Sequence, residues 1–151
     1  MSTKIALGTL FALMTGATAQ ADAPQGVIIQ TQVLFTGEGG GTFTATAPLC
    51  STGIVRSTDF AKFNPAVRYT VRAEFVCDDN SGTFILQFHP QFGPGTDPTF
   101  TLSGPWSVPG NGNTGAYVGL SGHGDFGVVV VFENGVAQTG EETFVGFVQL
   151  N

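Results

Sequence analysis

The stretch AVRYTVRAEFVCDDNSGTFILQFH, residues 66–89, decides the fold class. From Ala66 to Cys77 apolar side chains recur at every second position, which is the period of a β-strand and not of a helix. Residues 78–82, DDNSG, are of the types that form tight turns. Alternation then resumes from Thr83 to His89. The stretch therefore predicts a β-hairpin.

Similar patterns recur on both sides of this hairpin. Further strands are predicted at Val27–Phe35, Thr42–Ala47, Gly53–Ser57, Phe100–Leu102, Trp106–Val108, Gly122–Phe132 and Thr143–Leu150. Pro90–Pro98 has the Pro and Gly content of a loop, and Asn134-Gly135 is typical of a two-residue hairpin turn. No segment has the period of a helix of ten or more residues. We expect an all-β fold of eight to ten strands in a single domain, residues 22–151.

Composition excludes several classes of protein. The chain of 151 residues has 11 acidic and 5 basic side chains, 22 glycines and 14 phenylalanines. Its hydrophobic content of 42% is too high for an intrinsically disordered chain. The acidic balance argues against nucleic-acid binding, which needs a basic surface. Phe and the many Gly residues suit strands and turns instead.

The first 21 residues have the pattern of a secretory signal peptide. Lys4 gives a positive start, Ile5–Met14 is largely apolar, and small residues around Ala19 and Ala21 fit the cleavage pattern. A transmembrane anchor is the alternative, but the apolar run is shorter than the roughly 20 residues that a span needs. We expect a secreted or periplasmic protein with no membrane insertion.

Two cysteines, Cys50 and Cys77, remain in the mature chain. A lone pair in an oxidising compartment usually forms a disulfide, and neither residue has a nearby histidine that would suit a catalytic thiol. The two histidines and two cysteines lack the spacing of a metal site. We therefore predict a disulfide, no metal and no cofactor.

Two strands are apolar on both faces. In Gly122–Phe132 one face carries Phe126, Val128, Val130 and Phe132, and the other carries Val129 and Val131. In the last strand Val145 and Phe147 also lie on a second apolar face. A sheet with one face in water would alternate cleanly. The second face is expected to be covered by another part of the chain or by another subunit in a homo-oligomer.

A family resemblance rests on residues 106–126, WSVPGNGNTGAYVGLSGHGDF. From Gly115 they have the form G-x-Y-x-G-L-x-G-x-G-x-F, and FTATAPLC (43–50) and FVCDDNSGTF (75–84) accompany it. The segment resembles small secreted bacterial proteins related to allene oxide cyclases and plant dirigent proteins. The resemblance implies an antiparallel barrel of about eight strands, a trimer as in the plant relatives, and a lumen that holds an apolar or phenolic molecule. The catalytic residues of that family do not align residue by residue with this chain.

Glu74 and Arg72 are the candidate catalytic pair. If their face of the strand points into the lumen, Glu74 could act as a base and Arg72 could hold an anion. The alternative is a solvated outer face, since the opposite face carries the apolar residues. The candidate ligand-binding residues are Tyr69, Tyr117, His89 and Trp106, each of which could instead pack in the core or lie at the surface.

These observations favour a secreted barrel that binds a small apolar or aromatic molecule in its lumen and that guides, if it is an enzyme, a cofactor-free cyclisation or isomerisation. The alternative is a non-catalytic structural or surface-glycan-binding protein. A lumen filled with phenylalanine would favour the alternative, and a cavity with a few polar groups would favour ligand binding.

Overall fold

Nine β-strands make up most of the described part of the chain, which is residues 22–36, 39–57 and 70–151 of a computed structural model. The strands are β1 Gln25–Leu34, β2 Gly40–Ala45, β3 Thr52–Ser57, β4 Val71–Cys77, β5 Thr83–Phe88, β6 Gln91–Thr96, β7 Thr99–Ser107, β8 Ser121–Glu133 and β9 Val136–Gln149. A single 3₁₀ turn, Gly115–Tyr117, precedes β8, and these residues contain no α-helix.

The strands form one antiparallel sheet in the order β5-β4-β3-β2-β1-β9-β8-β7-β6. Pairing of β5 with β7 at Phe88 and Trp106 closes the sheet into a barrel of eight strands, with β6 as the extra strand. Closure removes most of the exposed strand edges of the sheet. The expected all-β antiparallel barrel is thereby confirmed. We call the end where β1 finishes and β8 turns into β9 the upper end, and the end at the β4–β5 turn the lower end.

The hairpin predicted from residues 66–89 is confirmed from Val71 onward. Val71 lies opposite Phe88 and Phe75 opposite Phe84, and Asn80 has the positive φ of 60° that its turn requires. The side chains of Val71, Ala73, Phe75 and Cys77 are buried inside the barrel. The second predicted hairpin, at Asn134-Gly135, is present as well, with φ of 52° and 77°.

Two predictions about the middle of the chain were wrong. Pro90–Pro98 is not a loop, because Gln91–Thr96 pairs with β7 as β6 across a register shift between Phe92 and Gly95. Proline is tolerated at such an irregularity in an edge strand. The strands predicted at Phe100–Leu102 and Trp106–Val108 belong to one strand, β7, which continues through Gly104-Pro105. The carbonyl of Pro105 accepts a hydrogen bond from the backbone N–H of His89.

A column of aromatic rings fills the lower and middle lumen. Phe75 stacks on Phe84 with ring centroids 4.8 Å apart, and Phe144 packs edge-on against Phe75 at 6.0 Å. Phe144 in turn contacts Phe88 and Phe126. Burial of these large side chains contributes about 2 to 3 kcal/mol each and is the main stabilising term of the barrel. It leaves no room for a ligand at this level.

The lower end is closed by the disulfide and by the Gly-rich segment. Cys50 and Cys77 are bonded, as predicted, and close a loop of 27 residues, which is worth about 3.5 kcal/mol on the chain-entropy model. The hydroxyl of Tyr117 accepts a hydrogen bond of 2.8 Å from the backbone N–H of Cys50. Gly115 has a positive φ of 59°, and a Cβ there would lie 2.2 Å from the carbonyl oxygen of Ser81. The motif therefore forms the lower lid of the barrel.

Two of the sequence predictions fall outside the described residues. They are the signal peptide at residues 1–21 and the candidate ligand-binding residue Tyr69. None of the helices in residues 22–36, 39–57 and 70–151 is long and apolar enough to cross a membrane.

Candidate functional site

A cavity lies above the aromatic column, at the upper end of the barrel. It is small and partly open to the surface, with a volume of about 30 Å³. Nine of its ten lining residues are apolar and the tenth is acidic: Phe35, Phe88, Pro90, Leu102, Phe126, Val128, Val130, Phe132, Ala137 and Glu142. We call this cavity the upper chamber. The half-buried side chains of Phe35, Phe132 and Ala137 lie where it approaches the surface.

Glu142 is the acidic residue of the upper chamber. It points inward because it has the same parity on β9 as the buried Phe144 and Val148, and it is only 3% exposed. Its cross-strand neighbours are Thr31 on β1 and Val128 on β8. The Thr31 hydroxyl donates a hydrogen bond of 2.7 Å to Oε2, whereas Oε1 is buried without a hydrogen-bond partner among the described residues.

The surroundings of Glu142 disfavour its ionised form. Burial raises the pKa of its carboxyl from the ordinary value of 4.5 to about 7, and the hydrogen bond from Thr31 opposes this increase. A carboxyl with a pKa near neutrality can hold or release a proton at physiological pH. Among the described residues this is the one titratable side chain that lines the upper chamber.

Glu142 is not among the candidate site residues predicted from the sequence, because the last predicted strand begins only at Thr143. In the structure β9 is continuous from Val136 to Gln149, and its irregularity is a bulge at Gln138, since Val131 pairs with Thr139 and Phe132 with Ala137. The signal that could have identified Glu142 is its spacing of two residues from Phe144, which predicts an inward carboxyl once the strand is extended.

Glu74 and Arg72 lie on the outer face of β4, so the lumen site that they would form is not built. Their neighbours Ala73 and Phe75 occupy the inner face because burying apolar side chains is favourable. Arg72 reaches along the outside to Asn111, with Nη2 2.9 Å from its backbone oxygen and 3.2 Å from its Oδ1. Glu74 is half-buried between the outer positions of Arg56 and Ile85.

The candidate ligand-binding residues are not brought together. Tyr117 belongs to the lower lid, and Trp106 is buried with its indole N–H donating to the backbone oxygens of Asp125 and Val145. His89 is exposed at the upper end, where its Nδ1 lies 3.1 Å from Oγ1 of Thr70. His89 precedes Pro90, and Trp106 is the cross-strand neighbour of Phe88; Pro90 and Phe88 both line the upper chamber.

An exposed apolar patch covers part of the outer surface. Ile28, Val145 and Phe147 are 48%, 52% and 56% exposed and lie side by side on β1 and β9. His123 and Asp125 on β8 are the cross-strand neighbours of Phe147 and Val145. We call these three apolar residues the outer patch. This is the second apolar face that the sequence analysis expected to be covered. The described part of the chain does not cover it, and cover by another subunit is taken up below as a proposal.

Two other kinds of site find no support in the described residues. Phe92 and Phe147 are the exposed aromatic side chains there, and they lie on different strands instead of forming one flat carbohydrate platform. No group of three or more His, Cys, Asp or Glu residues in residues 22–36, 39–57 and 70–151 could hold a metal ion.

Comparison with known proteins gives no relative from which a function could be transferred. No model of a protein family matches the chain, no curated protein matches it, and no solved structure matches it. A functional assignment therefore has to rest on the upper chamber and on the residues that build it.

Proposed function

We propose that the protein is a secreted or periplasmic barrel that binds a small apolar or aromatic molecule in the upper chamber. The observation that carries this proposal is the carboxyl of Glu142, buried with one oxygen unpartnered in an otherwise apolar cavity. Small-molecule sites are typically apolar hollows with a few polar groups that orient the ligand. The cyclase and dirigent families that the Gly-rich segment resembles provide a precedent for a ligand in the lumen.

The energetic cost of Glu142 supports a role in binding. A buried polar atom without a partner costs about 1 to 3 kcal/mol, and more when it is charged. The same barrel fills its middle with phenylalanine, so an apolar residue at position 142 would be compatible with the fold. A side chain that destabilises its own barrel is expected where a ligand supplies the missing hydrogen bond.

The size of the upper chamber limits the ligand. The volume of about 30 Å³ is well below the roughly 300 Å³ or more of a typical small-molecule site. The upper chamber therefore takes a compact group of a ligand, and the rest of the molecule, such as a single aromatic ring or a short alkyl tail, lies at its open mouth.

The same site supports a catalytic alternative. A pKa of about 7 suits Glu142 for general acid–base chemistry, since a base is most effective when its pKa lies near the working pH. In that case the protein would be a cofactor-independent cyclase or isomerase, with Glu142 in the role that the sequence analysis gave to Glu74. The apolar walls would exclude water from the reacting molecule.

The proposed location rests on two observations. Residues 1–21 have the pattern of a signal peptide. The Cys50–Cys77 disulfide is typical of proteins that fold in an oxidising compartment.

Neutral aromatic fragments are expected to bind in the upper chamber. Titration of phenol and benzyl alcohol into ¹⁵N-labelled protein should shift amide signals around the lining residues Leu102, Val130 and Ala137. Ala137→Leu adds volume at the mouth and should weaken binding roughly tenfold or more. Ala116→Leu makes the same change at an exposed position of the lower lid and should leave the affinity unaltered. Shifts that are absent, or that centre on the outer patch, would argue for a filled structural barrel.

We propose further that a second copy of this chain covers the outer patch. The three side chains form a continuous apolar surface, and exposed surfaces of this kind mark interaction sites. Sedimentation equilibrium is expected to show a dimer or the trimer that the resemblance implies. Phe147→Glu should give a monomer, whereas Val118→Glu, at a position 65% exposed elsewhere, should not. A wild-type monomer at millimolar concentration would rule out this interface.

A further inference from the structure

When Glu142 is ionised, the side chains that line the upper chamber offer a ligand an acceptor and no donor. Of the ten lining residues, only Glu142 has a polar side chain. Its Oε2 already accepts the hydrogen bond from Thr31, and Oε1 is the buried oxygen without a partner among the described residues. A molecule that binds here gains most if it brings a hydrogen-bond donor to Oε1, because leaving a buried acceptor unpaired is costly.

The upper chamber also lacks a counter-charge. None of its lining residues is Lys, Arg or His, and the two described arginines, Arg56 and Arg72, lie on the outer faces of β3 and β4. No titratable side chain of β1, β5, β7 or β8 lines the cavity beside Glu142. Among the described residues an ionised Glu142 carboxylate has no positive partner, which is a strongly unfavourable arrangement unless a ligand provides the positive charge.

The walls favour a cation over a neutral or negative group. Four phenylalanines, at positions 35, 88, 126 and 132, line the upper chamber. The face of an aromatic ring carries partial negative charge and attracts an ammonium group, more strongly when water is excluded. Rings and carboxylate therefore act in the same direction, and both would repel a carboxylate ligand.

From these observations we propose that the upper chamber is a binding site for primary amines, with the ammonium group against Glu142 and the apolar tail among the phenylalanines. A primary ammonium group is close to water in size and can donate a hydrogen bond to Oε1, whereas a trimethylammonium group has no N–H to donate. This inference rests on the proposed function, because it names the ligand class of the same cavity.

Probes that share a phenylethyl tail and differ in the head group test the proposal, beginning with 2-phenylethylamine, 2-phenylethanol and 3-phenylpropionate. At about pH 8, calorimetry with the purified protein should show the amine binding roughly tenfold or more tightly than the alcohol, and the carboxylate binding least. The trimethylammonium derivative of the amine should bind no better than the alcohol. Glu142→Gln should bring amine and alcohol to within about twofold of each other. Glu74→Gln removes the same charge from the outer face and should keep the preference for the amine.

A measurement on the unaltered protein guards against a variant that does not fold. Lowering the pH from about 8 to about 5.5 protonates Glu142, and the affinity for the amine should fall about thirtyfold while that for the alcohol stays constant. Equal affinities of amine and alcohol at both pH values would overturn the amine proposal and leave the proposed function standing. If none of the probes binds, both the amine proposal and the proposed function are overturned. In that case a water molecule would be the partner of Oε1.

Discussion

Gly124→Ala is expected to lower the free energy of unfolding by about 3 kcal/mol, although it adds a single methyl group. Gly124 and Gly146 are cross-strand neighbours on β8 and β9, and both face inward. A Cβ on Gly124 would lie 2.1 Å from the carbonyl oxygen of Val145 and 2.7 Å from Nε1 of Trp106. Real Cβ atoms do not approach so closely, so the indole or the strand must move.

Movement of the indole would break the contacts that hold it. The N–H of Trp106 donates to the backbone oxygens of Asp125 and Val145 at 3.1 and 3.2 Å, and the ring lies against the glycine pair. Loss of these hydrogen bonds would leave a buried donor unpaired in addition to the steric cost. Gly146→Ala should have a similar effect, since its Cβ would lie 2.6 Å from the Trp106 ring and 2.3 Å from the His123 carbonyl oxygen.

Gly127→Ala provides the matched control on the same strand. No heavy atom lies within 4 Å of a Cβ built there, and the position faces outward. Its alanine variant should therefore lie within about 0.5 kcal/mol of the wild type, because surface substitutions seldom do more. Denaturant unfolding followed by fluorescence measures both variants, since Trp106 is the sole tryptophan of the chain. Equal losses at positions 124 and 127 would show that the indole does not rest on the glycines.

The hairpin and the all-β class could be predicted because their determinants are local, whereas the barrel was expected from the family resemblance. The alternation from Val71 to Cys77 and the turn residues that follow determine which side chains are buried without reference to other strands. β6 could not be predicted in the same way. Its sequence, QFGPGT, has the composition of a loop, and it is a strand because β7 offers it a free edge. Pairing with a distant segment overrides local preference there.

The candidate site shows the same limit. Burial of one face of β4 could be predicted, and it places Glu74 and Arg72 outside the lumen. Glu142 lies in the polar run QTGEE, residues 138–142, which has the composition of a turn. It belongs to a strand because β9 pairs along its length with β8 and for most of it with β1. The position of Glu142 inside the barrel thus depends on pairing between distant strands, which cannot be predicted from the local sequence pattern.

The stability of the wild type is expected to fall by about 3 kcal/mol, relative to Glu142→Gln, as the pH rises from about 4.5 to about 7. The pKa of Glu142 is higher in the folded state than in the unfolded state. Below about 4.5 both states hold the proton, and the neutral carboxyl is compatible with burial. Between the two pKa values the unfolded chain releases the proton first, so stability decreases. Above about 7 the folded state also ionises, and the loss levels off.

Equilibrium unfolding at a series of pH values measures this effect. Glu142→Gln has no titrating group at position 142 and should show a flatter profile, with a stability above that of the wild type at about pH 8. Glu74→Gln, which removes a half-buried carboxylate of the outer face, should retain the wild-type slope. Asp79 titrates below this pH range, because hydrogen bonds from Ser81 lower its pKa. Parallel profiles for wild type and Glu142→Gln would mean that the carboxyl ionises freely, and that the upper chamber admits water to Oε1.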